Sequence, residues 1–252
     1  VQSANPVLTR LDDTRRVERQ VLGVPAAEAM TVDDVVVRTV GLLLLTGVTA
    51  AISWIVVPQA VWLPAALAGT SLAGLALVLV ISLKQITNPG LIAAYAVLQG
   101  LLLGVASRAF DLVYPGIVVQ AVVGTFGVFL GMGLLYRARL VRATPRLARL
   151  VVGTVIGIVA LSLVNLVTYL LTGRQGLEVY SVTTRVGWLP YAFSVVAIIA
   201  GAFSFILDFD LVERSVRAGL PRRYAWFCAF GLLVGLIFLY WQILRLLSYL
   251  RR

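Results

Sequence analysis

The sequence contains no histidine and a single cysteine. Without histidine there is no His-ligated zinc, no haem held by histidine and no imidazole proton relay. The lone thiol, Cys228, forms neither an internal disulfide nor a cysteine metal cluster. Set in an apolar run, it reads as a small packing residue. Charge is scarce too: 13% of residues are charged against 60% hydrophobic, and the mean hydropathy is +0.98. Those values exclude a soluble globular protein and point to a polytopic membrane protein. Lysine is nearly missing, Lys84 being the one exception among 21 basic residues. The net charge is +10, but the arginines fall in short segments between apolar runs. They read as topology determinants rather than as a nucleic-acid surface. No apolar core of signal-peptide length lies in the first 30 residues, so insertion is expected to begin with the first membrane helix. Catalytic signatures are missing as well: there is no nucleotide-binding glycine loop, zinc-protease motif or serine–histidine constellation. A two-aspartate intramembrane protease needs its acids on two deep helices, and the last apolar run carries none. The chain therefore reads as a non-enzyme, with no cofactor and no metal site.

What is present is a succession of charge-free runs. Between Arg38 and Lys84 no residue is charged, which leaves room for two spans of roughly 20 residues each. Pro58 and Pro64 divide that stretch. Five further runs follow, at 85–107, 112–136, 150–173, 186–207 and 224–244. The fold class is all-α, a polytopic membrane bundle of seven transmembrane helices. Residues 1–30 form a cytoplasmic N-terminal arm, and residues 31–252 form the membrane domain. Its helices are expected at about 35–57, 61–82, 89–107, 114–136, 148–172, 188–212 and 222–248. Every helix after the first has a proline near its start: Pro64, Pro89, Pro115, Pro145, Pro190 and Pro221. Proline is tolerated there because a first-turn N–H has no intrahelical partner. Thr31, Asn88 and Thr144 read as N-caps.

Most basic residues fall on the N-terminal side of the membrane when seven crossings are counted, which places that side in the cytoplasm. Arg245, Arg251 and Arg252 then lie outside, unless the last segment re-enters instead of crossing. Glycines recur at i and i+4 in Gly100/Gly104, Gly127/Gly131, Gly153/Gly157 and Gly231/Gly235. Such pairs let membrane helices approach closely and suggest a compact bundle. The arm reads either as a solvated tail or as a docking element that acts with the Arg-rich loops.

The strongest functional candidates stand where the run 186–207 ends. Asp208 and Asp210 precede Glu213 and Arg214. A carboxylate at the centre of a membrane helix costs about 2.5–3.5 kcal/mol, less near the interface, so intramembrane acids are functional candidates by default. Asp208 shares a helical face with the small residues Ala197, Gly201 and Ser204, the side on which membrane helices meet. Asp210 points elsewhere and has Arg214 at i+4, the favourable order for a salt bridge. The competing view makes both ordinary helix-end residues. Asn165 and Gln242 are further polar groups inside apolar runs and serve as supporting candidates.

Asp208-Phe-Asp-Leu-Val-Glu213 after a small-residue apolar helix resembles the signature of the Bax-inhibitor family. The basic loop ending Pro221-Arg-Arg-Tyr-Ala-Trp226 and the final apolar helix fit, as do Gly100-Leu-Leu-Leu-Gly104, Tyr114-Pro-Gly-Ile117 and Gly124-Thr125. With Asn88-Pro89 and Thr144-Pro145, the layout over about residues 31–250 is similar to the bacterial YccA-like branch. The resemblance implies a bundle with the last helix central, in the bacterial inner membrane. It also implies a pH-sensitive calcium or cation leak controlled by two aspartates on the sixth and seventh helices, with Ca2+ as the transported ion. Asp208 matches the first of these. The second is expected ten residues after Tyr224, a position held here by Val234. In the bacterial branch the resemblance implies a second function, binding and restraining a membrane-anchored AAA protease. The alternative to a leak is accordingly a non-conducting regulator of such a protease or another membrane complex.

Overall fold

A computed structural model describes residues 29–56, 63–172 and 188–251. The arm at 1–28 lies outside the described residues. Seven helices follow in chain order among the described residues: α1 (Val32–Val56), α2 (Leu63–Lys84), α3 (Pro89–Val113), α4 (Ile117–Arg137), α5 (Pro145–Thr172), α6 (Trp188–Arg217) and α7 (Tyr224–Leu250). Among the described residues, all but α2 contain enough apolar length to cross a membrane; α2 contributes a shorter apolar stretch, Gly69–Lys84. The protein is an all-α polytopic membrane bundle.

Its helix starts follow local chemistry. Thr31 Oγ1 accepts from the N–H of Asp34 at 3.1 Å, and the Asp34 carboxylate takes the N–H of Thr31 in return at 3.2 Å. This reciprocal pair satisfies two amides that the helix itself leaves open. Asn88 accepts from Gly90 N–H at 2.8 Å, and Thr144 from Leu147 N–H at 3.2 Å. Pro89 and Pro145 each open their helix.

α3 and α6 extend several residues past the ends expected of them. α3 continues through Arg108 and Asp111 to Val113 rather than stopping at 107. Arg108 reaches back to the Trp54 carbonyl at 2.7 Å, and Asp111 accepts from Gly116 N–H at 2.9 Å, so both charges are accommodated on the helix. α6 runs to Arg217 rather than 212, its last turns carrying the i,i+4 ion pairs Asp210–Arg214 and Glu213–Arg217. α4 starts three residues later than the expected helix 114–136, because Gly116 at φ +80 turns the chain.

α7 is central. It packs against α6, α1, α4 and α3, and its buried residues point in several directions around the helix. α2 rests on α3 and α5 on α6, at the periphery. One end of α7 lies beside Met30, whose N–H donates to Leu220 O at 2.8 Å. At the other end Arg251 donates to Pro115 O and to Gln120, both at 2.8 Å. A continuous helix of 27 residues spans about 40 Å. The last segment therefore runs the length of the bundle as one unbroken helix among the described residues.

Close packing is concentrated in one glycine pair. A Cβ on Gly104 would stand 2.1 Å from Ala50 O, and one on Gly100 would stand 2.5 Å from Thr46 O, so α1 and α3 meet nearly backbone to backbone. Gly127, Gly131, Gly153, Gly157 and Gly231 have nothing within 4 Å of such a position. The i,i+4 spacing at 127/131 and 153/157 does not mark helix contacts. Met30 also departs from expectation, being buried and held against the α6–α7 loop rather than part of a free arm.

The α6–α7 seam as candidate functional site

α6 and α7 run antiparallel, in a register fixed at several points. Tyr191 donates to Tyr249 O at 2.6 Å. A Cβ on Gly201 would lie 3.2 Å from the Phe238 ring and 3.6 Å from Leu239. At Gly235 the nearest atoms come from Phe205, at 2.9 Å, and the Asp208 carboxylate, at 3.7 Å. Asp208 thus reaches α7 at Gly235, beside the Phe205 ring. It is partly buried, and among the described residues nothing donates a hydrogen bond or an ion pair to it. Ala197 and Gly201, on the same face, are buried against α5 and α7.

The neighbouring acids are engaged. Asp210 pairs with Arg214, and Glu213 pairs with Arg217 while accepting from the Tyr136 hydroxyl of α4. Aromatic rings line the α4 side: Phe129 lies 5.0 Å from Phe205 and 5.6 Å from Phe209, and Tyr136 lies 5.8 Å from Phe209. Val234, where the second aspartate is implied, is partly buried in the core. No group of three or more His, Cys, Asp or Glu comes together among the described residues. Asp208 is a single charge in an apolar setting, able to attract one cation or exchange one proton, rather than part of a cage.

The other candidates lie elsewhere. Gln242 is buried on the α6-facing side of α7, about 15 Å along the bundle from Asp208. Asn165 is buried on α5, beyond the Ile158 contact with Ala197 and Ala200, and further from Asp208 still. The structure does not join either of them to the Asp208 group.

The family comparison covers this whole arrangement. A model of the family described as Bax inhibitor 1 like matches residues 5–252. The chain belongs to the Bax inhibitor 1 like family. No curated protein matches it. In this family member the signature acids divide into one unpaired carboxylate on the seam and two ion-paired ones beside it.

A second polar cluster escaped the sequence reading. Arg222, in the α6–α7 loop, donates to Asp34 at 2.7 Å, and Arg38 donates to Arg222 O at 3.0 Å while lying 5.3 Å from the Trp226 ring. With Ala29, Thr31, Asp33 and Val37 these residues border a cleft of about 500 Å3. The partners are separated by 188 positions, beyond the reach of any local pattern. The proline–arginine composition of the loop was the only signal.

Proposed function

We propose that this Bax inhibitor 1 like protein is a pH-sensitive leak pathway for calcium or a similar cation. The observation that carries the reading is Asp208, a carboxylate on the α6–α7 seam with no cationic partner among the described residues. A carboxylate so placed attracts a cation when ionised and ceases to do so when protonated. Transport, not bond-making chemistry, is the role we assign. The setting we propose is the inner membrane of a bacterium, in the YccA-like branch, with the N-terminus in the cytoplasm. Most arginines then face the cytoplasm, as the positive-inside rule asks.

Calcium flux in proteoliposomes, wild type beside Asp208→Asn, tests the leak. The variant is expected to lose the pH dependence of flux, while Asp210→Asn keeps it. An unchanged pH profile in Asp208→Asn would sink the leak reading.

One observation favours the second reading, a non-conducting regulator that binds a membrane-anchored protease or another complex. Val234 leaves Asp208 without the like-charged neighbour that a two-aspartate switch uses. Under that reading the arm and the arginine-rich loops are the docking surface. Deleting residues 1–28 should then abolish co-purification of the partner and leave the bundle folded, whereas a leak pathway keeps its flux after the deletion.

A further inference from the structure

The outer half of the α6–α7 seam holds two polar side chains that the leak reading does not use. Ser194 on α6 is completely buried and Gln242 on α7 is 5% exposed. Neither Ser194 Oγ nor Gln242 Oε1 has a hydrogen-bond partner among the described residues. Both are on the facing sides of their helices. Ser194 lies seven residues before Gly201, and Gln242 lies seven after Gly235, so each is two turns along the same stripe. In the register set by Tyr191–Tyr249, Gly201–Leu239 and Gly235–Phe205, Gln242 comes opposite Ile198. That is one turn, or roughly 6 Å along the axis, from Ser194.

An unpaired buried acceptor costs about 1–3 kcal/mol, and two on one seam are unusual in a bundle whose other buried hydroxyls mostly reach carbonyls. Thr46, Ser53 and Thr125 donate to Ala96 O, Leu101 O and Ala121 O. A separation of one turn is too long for a direct bond and suits a molecule that both donates and accepts. Small residues flank the pair on α6, namely Ala197, Ala200 and Gly201.

We infer that Ser194 and Gln242 form a buried hydration site, binding water between α6 and α7. Water there donates to Gln242 Oε1 and exchanges a hydrogen bond with the Ser194 hydroxyl, as internal water does for otherwise unsatisfied groups. Phe205, Phe238 and Leu239 form a dry layer between this site and Asp208. The seam then carries a polar station in each half and an apolar barrier between them. The inference holds whether or not the chain conducts.

Its test is a double-mutant cycle on the full chain in detergent micelles, using Ser194→Ala, Gln242→Met and the double variant. Loss of water-mediated bonds predicts that each single variant melts about 2–4 °C lower. The double variant is expected to fall by less than the sum, because both groups hold the same water. If the site is dry, removing an unsatisfied polar group leaves the melting temperature unchanged or raises it, and the two effects add. Either result overturns the inference. Should a variant fail to fold, radiolytic hydroxyl labelling of the wild type decides. Leu239, one turn from Gln242, is expected to label above Leu233, although both are fully buried. Equal labelling would count against the site.

Discussion

The α1–α3 and α6–α7 seams use the same materials, small residues at regular spacing and a few polar groups, and reach opposite results. Between α1 and α3, Gly100 and Gly104 let backbones touch, and Thr46 and Ser53 donate across to Ala96 O and Leu101 O. Nothing polar is left over at these positions; at Gly104 only the Ala50 backbone stands opposite, and at Gly100 the Thr49 side chain lies beside the Thr46 carbonyl. Between α6 and α7 the glycines are filled by rings: Phe238 sits over Gly201, and Phe205 over Gly235. At that spacing Asp208, Ser194 Oγ and Gln242 Oε1 have no hydrogen-bond partner among the described residues. A seam closed by backbone is rigid. One held apart by side chains can shift its rings, which is why the candidate site is placed there.

Substitution at the two kinds of glycine gives the largest test of this contrast. Gly104→Ala drives a methyl into Ala50 O, which cannot yield without moving α1, and should cost about 3 kcal/mol by thermal or denaturant unfolding. Gly127→Ala, which meets open space, should change stability by less than about 1 kcal/mol. Equal effects would erase the distinction.

Next in size is the clamp that joins α1 to the loop before α7. Asp34→Ala removes a helix cap and the partner of Arg222 together, an expected loss of about 1–2 kcal/mol. Arg222→Ala removes only the exposed half of the pair and should cost under about 1 kcal/mol. If the two variants unfold alike, the clamp is a surface ion pair and nothing more.

Gly235→Ala sharpens the comparison from the other side. The atom it meets is a ring carbon of Phe205, 2.9 Å away, and a ring can shift where a backbone carbonyl cannot. A cost of about 1 kcal/mol is expected, well below that of Gly104→Ala. The smallest effect belongs to Arg214→Ala. Its side chain is 69% exposed, so losing the Asp210 pair should change stability by at most about 0.5 kcal/mol. A larger loss would make the paired acids structural parts of the seam. Orientation is checked separately: a cysteine at position 142 should resist labelling from outside intact cells, in line with a cytoplasmic α4–α5 loop.

Much of this was legible in the chain itself. Apolar runs and the prolines near their starts marked seven helices, because a helix in lipid must satisfy its own backbone and needs a fixed length to cross. The caps at Thr31, Asn88 and Thr144 and the Asp210–Arg214 pair were equally local, each spanning three or four residues at most. Helical periodicity also put Asp208 on the small-residue face.

Tertiary structure alone decided what those faces meet. Four glycine pairs look alike in sequence, and only Gly100/Gly104 brings two backbones together, because spacing records a face and not its partner. Asp208 faces Gly235, Gln242 and Asn165 lie away from it, and Arg222 reaches Asp34 across 188 positions. Sequence fixes the period of a helix and the chemistry along each stripe. Which stripes face one another, and which polar groups are left unpaired, depends on how the helices pack in three dimensions.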